Sequence, residues 1–218
     1  MNDDAVNARN PTDIRRTPEQ IDESFRQNYW AYAIRYGLQY YVAGRFATAN
    51  RFTPVCANLL HHAVELLLKA CLSRVDSRQT IERYGHRSAY GHNILLLWEE
   101  FKKRQTAPIP VEFGPIVAAL HDFEDIRYPE ELIRNGARII INPIVDEPIH
   151  ASGQGPEPSF NLSLPPIDRL MGFLFEASNA NPEAFLHEIA DEQGMGGTYY
   201  QMIKGSLFGY APADKPNE

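Results

Sequence analysis

The sequence lacks the features that mark several large classes of protein. It has only 2 cysteines in 218 residues, too few for a disulfide framework or a cysteine-rich zinc site. No apolar run approaches the ~20 residues that cross a bilayer, and no apolar segment follows the polar N-terminus. We therefore expect a cytoplasmic protein without a membrane span or a secretory signal. The 16 prolines and 14 glycines follow no period, which excludes a fibrous protein.

The charge is distributed unevenly along the chain. Hydrophobic residues make up 44% of the sequence, enough for the core of one domain, and the formal net charge is −7. Residues 1–105 carry a net charge of +4, whereas residues 106–218 carry −11. The basic half could face a polyanion and the acidic half could contact a protein partner. The alternative is a chance distribution of charges over a solvated surface.

Apolar periodicity predicts several helices. Thr17-Pro18-Glu19-Gln20 has the form of a capping box, and the aromatic residues spaced along residues 21–36 predict one apolar stripe, with Gly44 as a terminator. Residues 55–72 are apolar on nearly every face, which places a second helix at the centre of a bundle, with Cys56 and Cys71 in its core. Further helices are expected from His92 or Asn93 and from about Val111.

The pattern changes after Pro129. The runs Arg138–Asn142 and Ser159–Leu164 favour two strands, and we expect them to form a hairpin before another helix near Ile167. The predicted fold class is therefore mainly α, an up-and-down helical bundle with a small β-hairpin insertion. The expected division is a disordered tail at 1–16, a helical domain at 17–193 with the insertion at about 136–166, and a C-terminal extension at 194–218.

Polar residues interrupt the central helix on one flank. Glu65 and Lys69 are four residues apart in the favourable order and either form a structural ion pair or help to hold a ligand. His61 and Glu65 lie one turn apart, but no second helix offers a matching histidine pair, so we predict neither a metal site nor a cofactor.

The segment from Arg74 to His92 is the most basic part of the chain and also contains tyrosines. Arginine binds phosphate through two parallel hydrogen bonds and tyrosine stacks on bases, so this composition suits contact with a nucleotide or RNA. A solvated loop is the alternative. The residues singled out within this segment are Arg83, Arg87, Tyr90 and His92.

A third group of charges lies near the end of the helix that begins at about Val111. Asp122, Glu124 and Asp125 are unfavourable for the dipole at a helix C-terminus, which suggests basic partners such as the neighbouring Arg127. A solvated charged turn is the simpler interpretation.

Three motifs in order resemble the HEPN family, nucleotide-binding helical domains of higher eukaryotes and prokaryotes. The run from His62 to Ala70 resembles the central helix of that family. Gly91-His92 resembles the Gly-His pair that opens a later helix in one branch, and Arg127-Tyr128-Pro129 resembles the Arg-Tyr-Pro ending of the next helix. Order and spacing agree over about residues 25–135.

The resemblance implies an up-and-down helical bundle, commonly homodimeric, that binds a nucleotide or RNA. We expect binding through the segment from Arg74 to His92, with Glu65, Lys69 and Arg127 shaping the site from neighbouring helices. The predicted ligand-binding residues are Glu65, Lys69, Arg83, Tyr90, Arg127 and Tyr128. Many members of the family are metal-independent ribonucleases that use an Arg and a His four to six residues apart, a spacing that Arg87 and His92 match. Ser88 stands where an Asn, Asp or His usually follows that Arg, and the motif lies earlier than the start of the last core helix, where the family usually has it. The branch with these motifs also often lacks nuclease activity. The alternatives to binding are therefore a ribonuclease of toxin or defence type and a protein-interaction scaffold.

Overall fold

The chain is mainly helical. The computed structural model describes residues 16–52, 55–85, 90–124, 130, 138–142, 159–193 and 197–208. Helices and strands within these ranges are α1 (Pro18–Ala49), α2 (Val55–Ser73), α3 (Arg78–Arg83), α4 (Ile94–Arg104), α5 (Phe113–Asp122), β1 (Arg138–Asn142), β2 (Ser159–Ser163), α6 (Leu164–Ala177), α7 (Pro182–Gln193) and α8 (Gly197–Phe208).

Helix α2 lies at the centre of the helical bundle, as its all-round apolar sequence predicts. It packs against α1, α3, α4, α5 and α6, and both of its cysteines are buried free thiols. Contrary to our expectation that no segment is suited to a bilayer, α2 is by length and composition apolar enough to cross one, with 19 residues and a mean hydropathy of 1.4. Because 72% of this stretch is buried inside the protein, its apolarity is explained by its position in the core.

Helix α1 begins as predicted but does not end at Gly44. The side chain of Thr17 accepts a hydrogen bond from the Gln20 amide, and the Gln20 side chain accepts one from the Thr17 amide. The helix then continues through Gly44 to Ala49. A Cβ at Gly44 would lie only 2.9 Å from the Leu60 Cγ, so the glycine lets α1 approach α2 closely. The prediction was wrong because the sequence shows a glycine without showing what packs against it.

The predicted hairpin is also wrong. Strands β1 and β2 pair in parallel, with Arg138 opposite Ser159 and Asn142 opposite Ser163, whereas a hairpin requires antiparallel strands. A parallel pair requires a crossover of about a dozen residues or more, and residues 143–158 meet this length. Strand alternation indicates that a segment is extended but carries no information about the direction of its partner.

Buried polar contacts join the C-terminal helices to α1. Asp168 of α6 accepts hydrogen bonds from the Tyr41 hydroxyl (2.6 Å) and the Arg45 guanidinium (2.7 Å), and Arg45 also donates to Ser206 of α8 (2.5 Å). Ile203 and Leu207 of α8 belong to the hydrophobic core. Part of the segment that we assigned to a C-terminal extension therefore packs as a helix of the bundle, while residues 1–15 of the expected tail lie outside the described residues.

The close contact between α1 and α2 is testable at Gly44. We expect Gly44→Val to lower the free energy of unfolding by about 1–3 kcal/mol, because the added atoms overlap Leu60. Urea denaturation measures this change. Gly114→Ala in α5 is the matched control, since nothing lies within 4 Å of its Cβ position, and it should leave stability unchanged or raise it by up to about 1 kcal/mol. Equal stability of Gly44→Val and the wild type would contradict the contact.

Candidate functional site

A buried ion pair forms the centre of the site. Lys69 Nζ donates to Glu65 Oε1 at 2.5 Å and to the Gly91 carbonyl oxygen at 2.9 Å. The side chains of Glu65 and Lys69 are only 5% and 6% exposed. The pair thus differs from an exposed i,i+4 contact, because it joins α2 to the turn that precedes α4 and holds the Glu65 carboxylate in one orientation.

Two histidines meet the other oxygen of the same carboxylate. Nδ1 of His62 and Nδ1 of His92 each lie 3.1 Å from Glu65 Oε2. The two rings are 5.5 Å apart between centroids and nearly perpendicular. His62 is 21% exposed and His92 44%, so solvent reaches both rings while the carboxylate between them is buried.

The carboxylate of Glu65 is ionised despite its burial. Burial alone raises the pKa of Glu65, but the hydrogen bond from His62, the charge and hydrogen bond of Lys69 and the hydrogen bond from His92 together lower it to about 2. The pKa of Tyr29 on α1 is raised to about 12, mainly by burial and in addition by the negative charge of Glu65. The site is therefore a fixed negative charge bordered by one ammonium group and two imidazoles.

His61 fixes the backbone around this cluster. Its Nε2 lies 3.0 Å from the His92 carbonyl oxygen and its Nδ1 lies 2.9 Å from that of Leu120, and its side chain is 1% exposed. Burial lowers the pKa of His61, against the opposing effect of the contact with Leu120 and the charge of Glu124. His61 thus connects α2 both to the turn before α4 and to the end of α5.

The structure brings three of the predicted site residues together: Glu65, Lys69 and His92. Arg83 is exposed at the end of α3, and Tyr90 packs edge-on against Tyr84 at 5.4 Å between ring centroids. Asn93 caps α4, which confirms the helix start predicted at His92 or Asn93. The other predicted site residues, Arg87, Arg127 and Tyr128, lie outside the described residues.

The basic segment does not form one continuous loop. It contains helix α3, capped by Ser77, which our sequence analysis missed although Ser77 is a good N-cap residue. Two of its arginines face aromatic residues of α1: the Arg74 guanidinium lies 5.9 Å from the Trp30 ring and that of Arg78 lies 4.9 Å from the Phe25 ring.

A cleft opens where α1 meets the end of α2. It has a volume of about 530 Å³ and contains two arginines, a tryptophan and polar side chains. Its lining residues are Glu23, Arg26, Gln27, Asn28, Trp30, Ala31, Ser73 and Arg74. Arg26 is paired with Glu23 at the cleft wall. Cationic, aromatic and amide groups therefore meet in one open space.

A row of tyrosines on α1 connects this cleft to the histidine pair. Tyr32, Tyr36 and Tyr40 are 59%, 47% and 38% exposed, and they follow Asn28 of the cleft at steps of four residues. The rings of Tyr32 and Tyr36 are stacked at 6.0 Å, and the Tyr40 ring lies 5.3 Å from that of His62. We refer to these three residues as the tyrosine row.

Tyr32 and Tyr36 were predicted to belong to the apolar stripe of α1, which is wrong because both are exposed. The buried face of α1 instead includes Ile34, Leu38 and Tyr41. This second set also recurs at three- and four-residue steps, and it contains the aliphatic residues that favour a core. That difference in composition was the signal that could have identified the tyrosine row as a surface feature.

Comparisons of the chain with protein-family models, with curated proteins and with solved structures gave no match.

The charge of Glu65 makes a pH-dependent contribution to stability. Because its pKa falls from 4.5 to about 2 on folding, this contribution is present above pH 4.5 and is lost as the pH falls toward 2. We expect Glu65→Gln to lower the free energy of unfolding by about 3 kcal/mol at pH 7, and the difference from the wild type to shrink below pH 4.5.

Urea denaturation at a series of pH values measures this difference. Glu99→Gln is the control, because Glu99 forms an exposed pair with Lys102 and should contribute less than about 1 kcal/mol at any pH. A difference between wild type and Glu65→Gln that stays constant from neutral to strongly acidic pH would contradict the assignment.

Proposed function

We propose that the protein is a HEPN-like, up-and-down helical domain that binds a nucleotide or RNA, and that single-stranded RNA lies along the exposed face of α1. The observation that supports this most strongly is the tyrosine row, which extends from the cleft to the histidine pair. The basic segment predicted to bind RNA runs from Arg74 to His92. Arg74 lines the cleft at one end of the tyrosine row, and His92 belongs to the histidine pair at the other end.

The proposed contacts combine stacking with charge. Exposed aromatic side chains in a row stack on successive bases without reading their sequence. Arginine at the cleft can bind a phosphate through two hydrogen bonds, and Arg26 and Arg74 occupy that position. From Asn28 to Tyr40 the helix rises about 18 Å, which gives a short strand several points of contact.

The buried ion pair has an indirect role in this proposal. Lys69 donates to Glu65 and to Gly91, so it positions other groups and does not bind the phosphate itself. Glu65 in turn holds the His62 and His92 rings beside Tyr40, where they meet the end of the strand. Because the whole chain has a net charge of −7, it does not attract RNA at long range. The attraction in this proposal comes from the arginines that line the cleft.

Removal of one ring of the tyrosine row should weaken RNA binding. We expect Tyr36→Ala to lose about 1–3 kcal/mol of affinity for hexauridylate or hexaadenylate, the contribution of one stacked base. Fluorescence anisotropy of the labelled oligonucleotides, at low and moderate salt, measures the loss. Parallel titrations with ATP and GTP distinguish binding of RNA from binding of a mononucleotide.

Phe46→Ala is the matched control, because Phe46 is 50% exposed on the same helix but lies six residues, about 9 Å, beyond Tyr40 and so outside the path from the cleft to the histidine pair. It should bind like the wild type. Equal affinities of Tyr36→Ala and the wild type, or association that does not weaken with salt, would count against the proposed path.

A second candidate function is metal-independent ribonuclease activity, favoured by the contact between Glu65 and His92. A carboxylate that holds one imidazole nitrogen orients the other for acid–base transfer. Here Nδ1 of His92 faces Glu65, which directs Nε2 away from the carboxylate. One of the two histidines, as neutral imidazole, would take the proton of a ribose 2′-hydroxyl as it attacks the phosphate, and the other, as imidazolium, would give its Nε2 proton to the leaving 5′-oxygen. Arg87, the second residue predicted for this reaction, lies outside the described residues.

The ribonuclease candidate is tested at His92. If the protein cleaves RNA, His92→Ala should reduce the rate by about a hundredfold or more, and the products of the wild type should carry a 2′,3′-cyclic phosphate. His187→Ala is the control, since His187 contacts a carboxylate as well but is 69% exposed on α7. Cleavage that survives His92→Ala unchanged would remove this residue from the reaction.

A further inference from the structure

Three potential metal ligands converge beside the central helix. His62, Glu65 and His92 each offer one ligand atom, and these three atoms lie within 4.8 Å of one another. Nδ1 of each histidine is 3.1 Å from Glu65 Oε2. His62 and Glu65 come from one turn of α2, whereas His92 comes from the turn before α4. No metal site was predicted from the sequence, because no other helix offers a second histidine pair. The third ligand is instead a single histidine in the turn before α4, which that criterion does not detect.

The distances suit a tetrahedral cation. With bonds of about 2.0–2.2 Å to nitrogen and oxygen, neighbouring ligand atoms of a tetrahedral zinc site lie about 3.3–3.6 Å apart. The observed 3.1 Å nitrogen–oxygen separations are slightly shorter than this range, and the partial exposure of His92 lets its ring move outward. Two histidines and one carboxylate supply three ligands, so a fourth position stays open to solvent, as in catalytic zinc sites.

The charges around the three ligands favour particular metals. Lys69 neutralises Glu65 through Oε1 and leaves Oε2 directed at the histidines. The donor set of two imidazoles, one carboxylate oxygen and a neighbouring ammonium carries no net negative charge when the imidazoles are neutral. Mg²⁺ and Ca²⁺ prefer several oxygen ligands, whereas imidazole nitrogen suits Zn²⁺, Co²⁺, Ni²⁺ and Cu²⁺.

The groups behind the ligands hold them in place. Lys69 fixes the carboxylate and also contacts the Gly91 carbonyl, while His61 lies 3.0 Å from the carbonyl oxygen of His92 itself. Such contacts orient metal ligands and strengthen binding. The cluster is therefore arranged before a metal arrives, and binding requires that each imidazole carry its hydrogen on Nε2, which leaves the Nδ1 lone pair for the cation.

We propose that His62, Glu65 and His92 bind one transition-metal dication of the Zn²⁺ type, with a fourth coordination position open to solvent. This proposal goes beyond RNA binding and does not depend on it. Metal binding is measured without RNA, so its failure and the failure of the proposed function are separate results.

The test uses the full chain without a polyhistidine tag, stripped of metal by chelation and freed of the chelator. Calorimetric titration with Zn²⁺ should show one site per chain, and Co²⁺ should give visible d–d bands of tetrahedral intensity. His62→Ala and His92→Ala should each weaken Zn²⁺ binding by at least about tenfold and abolish the Co²⁺ bands. Both histidines are partly exposed, so the variants should stay folded, which circular dichroism checks.

His187→Ala is the matched control and should bind like the wild type, because His187 pairs with Asp191 far along the chain on α7. Absence of Zn²⁺ and Co²⁺ binding by the folded wild type would overturn the proposal. Binding that is unchanged in either His62→Ala or His92→Ala would overturn it equally, since a site formed by the three residues requires both.

Discussion

The buried pair between Lys69 and Glu65 is the contact on which the rest of the site depends. A buried ion pair contributes little net stability compared with apolar side chains of similar size, because both charges lose their hydration. Its effect here is orientation: Lys69 holds one carboxylate oxygen and the Gly91 backbone, which leaves the other oxygen for two histidines. The central helix α2 thereby holds one fixed carboxylate beside two partly exposed histidines. RNA binding, acid–base chemistry and metal binding would all use that charge.

The close packing of α1 on α2 gives the site its second component. Gly37 of α1 lies against Leu67 of α2, and Gly44 lies against Leu60. Residue numbers therefore increase along α1 as they decrease along α2, so the two helices are antiparallel. This packing buries one face of α1 and exposes the tyrosine row on another. Because Tyr40 contacts His62, the exposed face ends at the histidine pair. The surface feature and the buried ion pair thus belong to one arrangement of two helices.

Local signals in the sequence predicted much of the fold, because they depend on near neighbours in the chain. The capping box at Thr17, the cap at Asn93 and the all-round apolarity of α2 each correspond to a feature of the structure. Contacts between distant segments were not predictable in the same way. The extension of α1 past Gly44 depends on Leu60, and the parallel pairing of β1 with β2 depends on the course of the chain between them.

The candidate site shows the same division. Glu65 and Lys69 were recognisable as a pair because they are four residues apart on one helix. His92 also contacts the Glu65 carboxylate, although it lies 27 residues further along the chain in the turn before α4. The spacing of residues in the sequence does not predict a contact of this kind. The tyrosine row was assigned to the wrong face because aromatic residues serve both cores and stacking surfaces. The aliphatic residues Ile34 and Leu38 form a second apolar stripe on α1, and their presence indicates which face of the helix is buried.

The central claim, that RNA lies along the exposed face of α1, is tested most directly by photocrosslinking. Short RNA containing 4-thiouridine, irradiated with the full chain and analysed by mass spectrometry, reports which side chains lie against the bases. The proposed path predicts crosslinks at Tyr32, Tyr36 or Tyr40 that unlabelled RNA suppresses. Crosslinks confined to the acidic half of the chain, with none on α1, would contradict it.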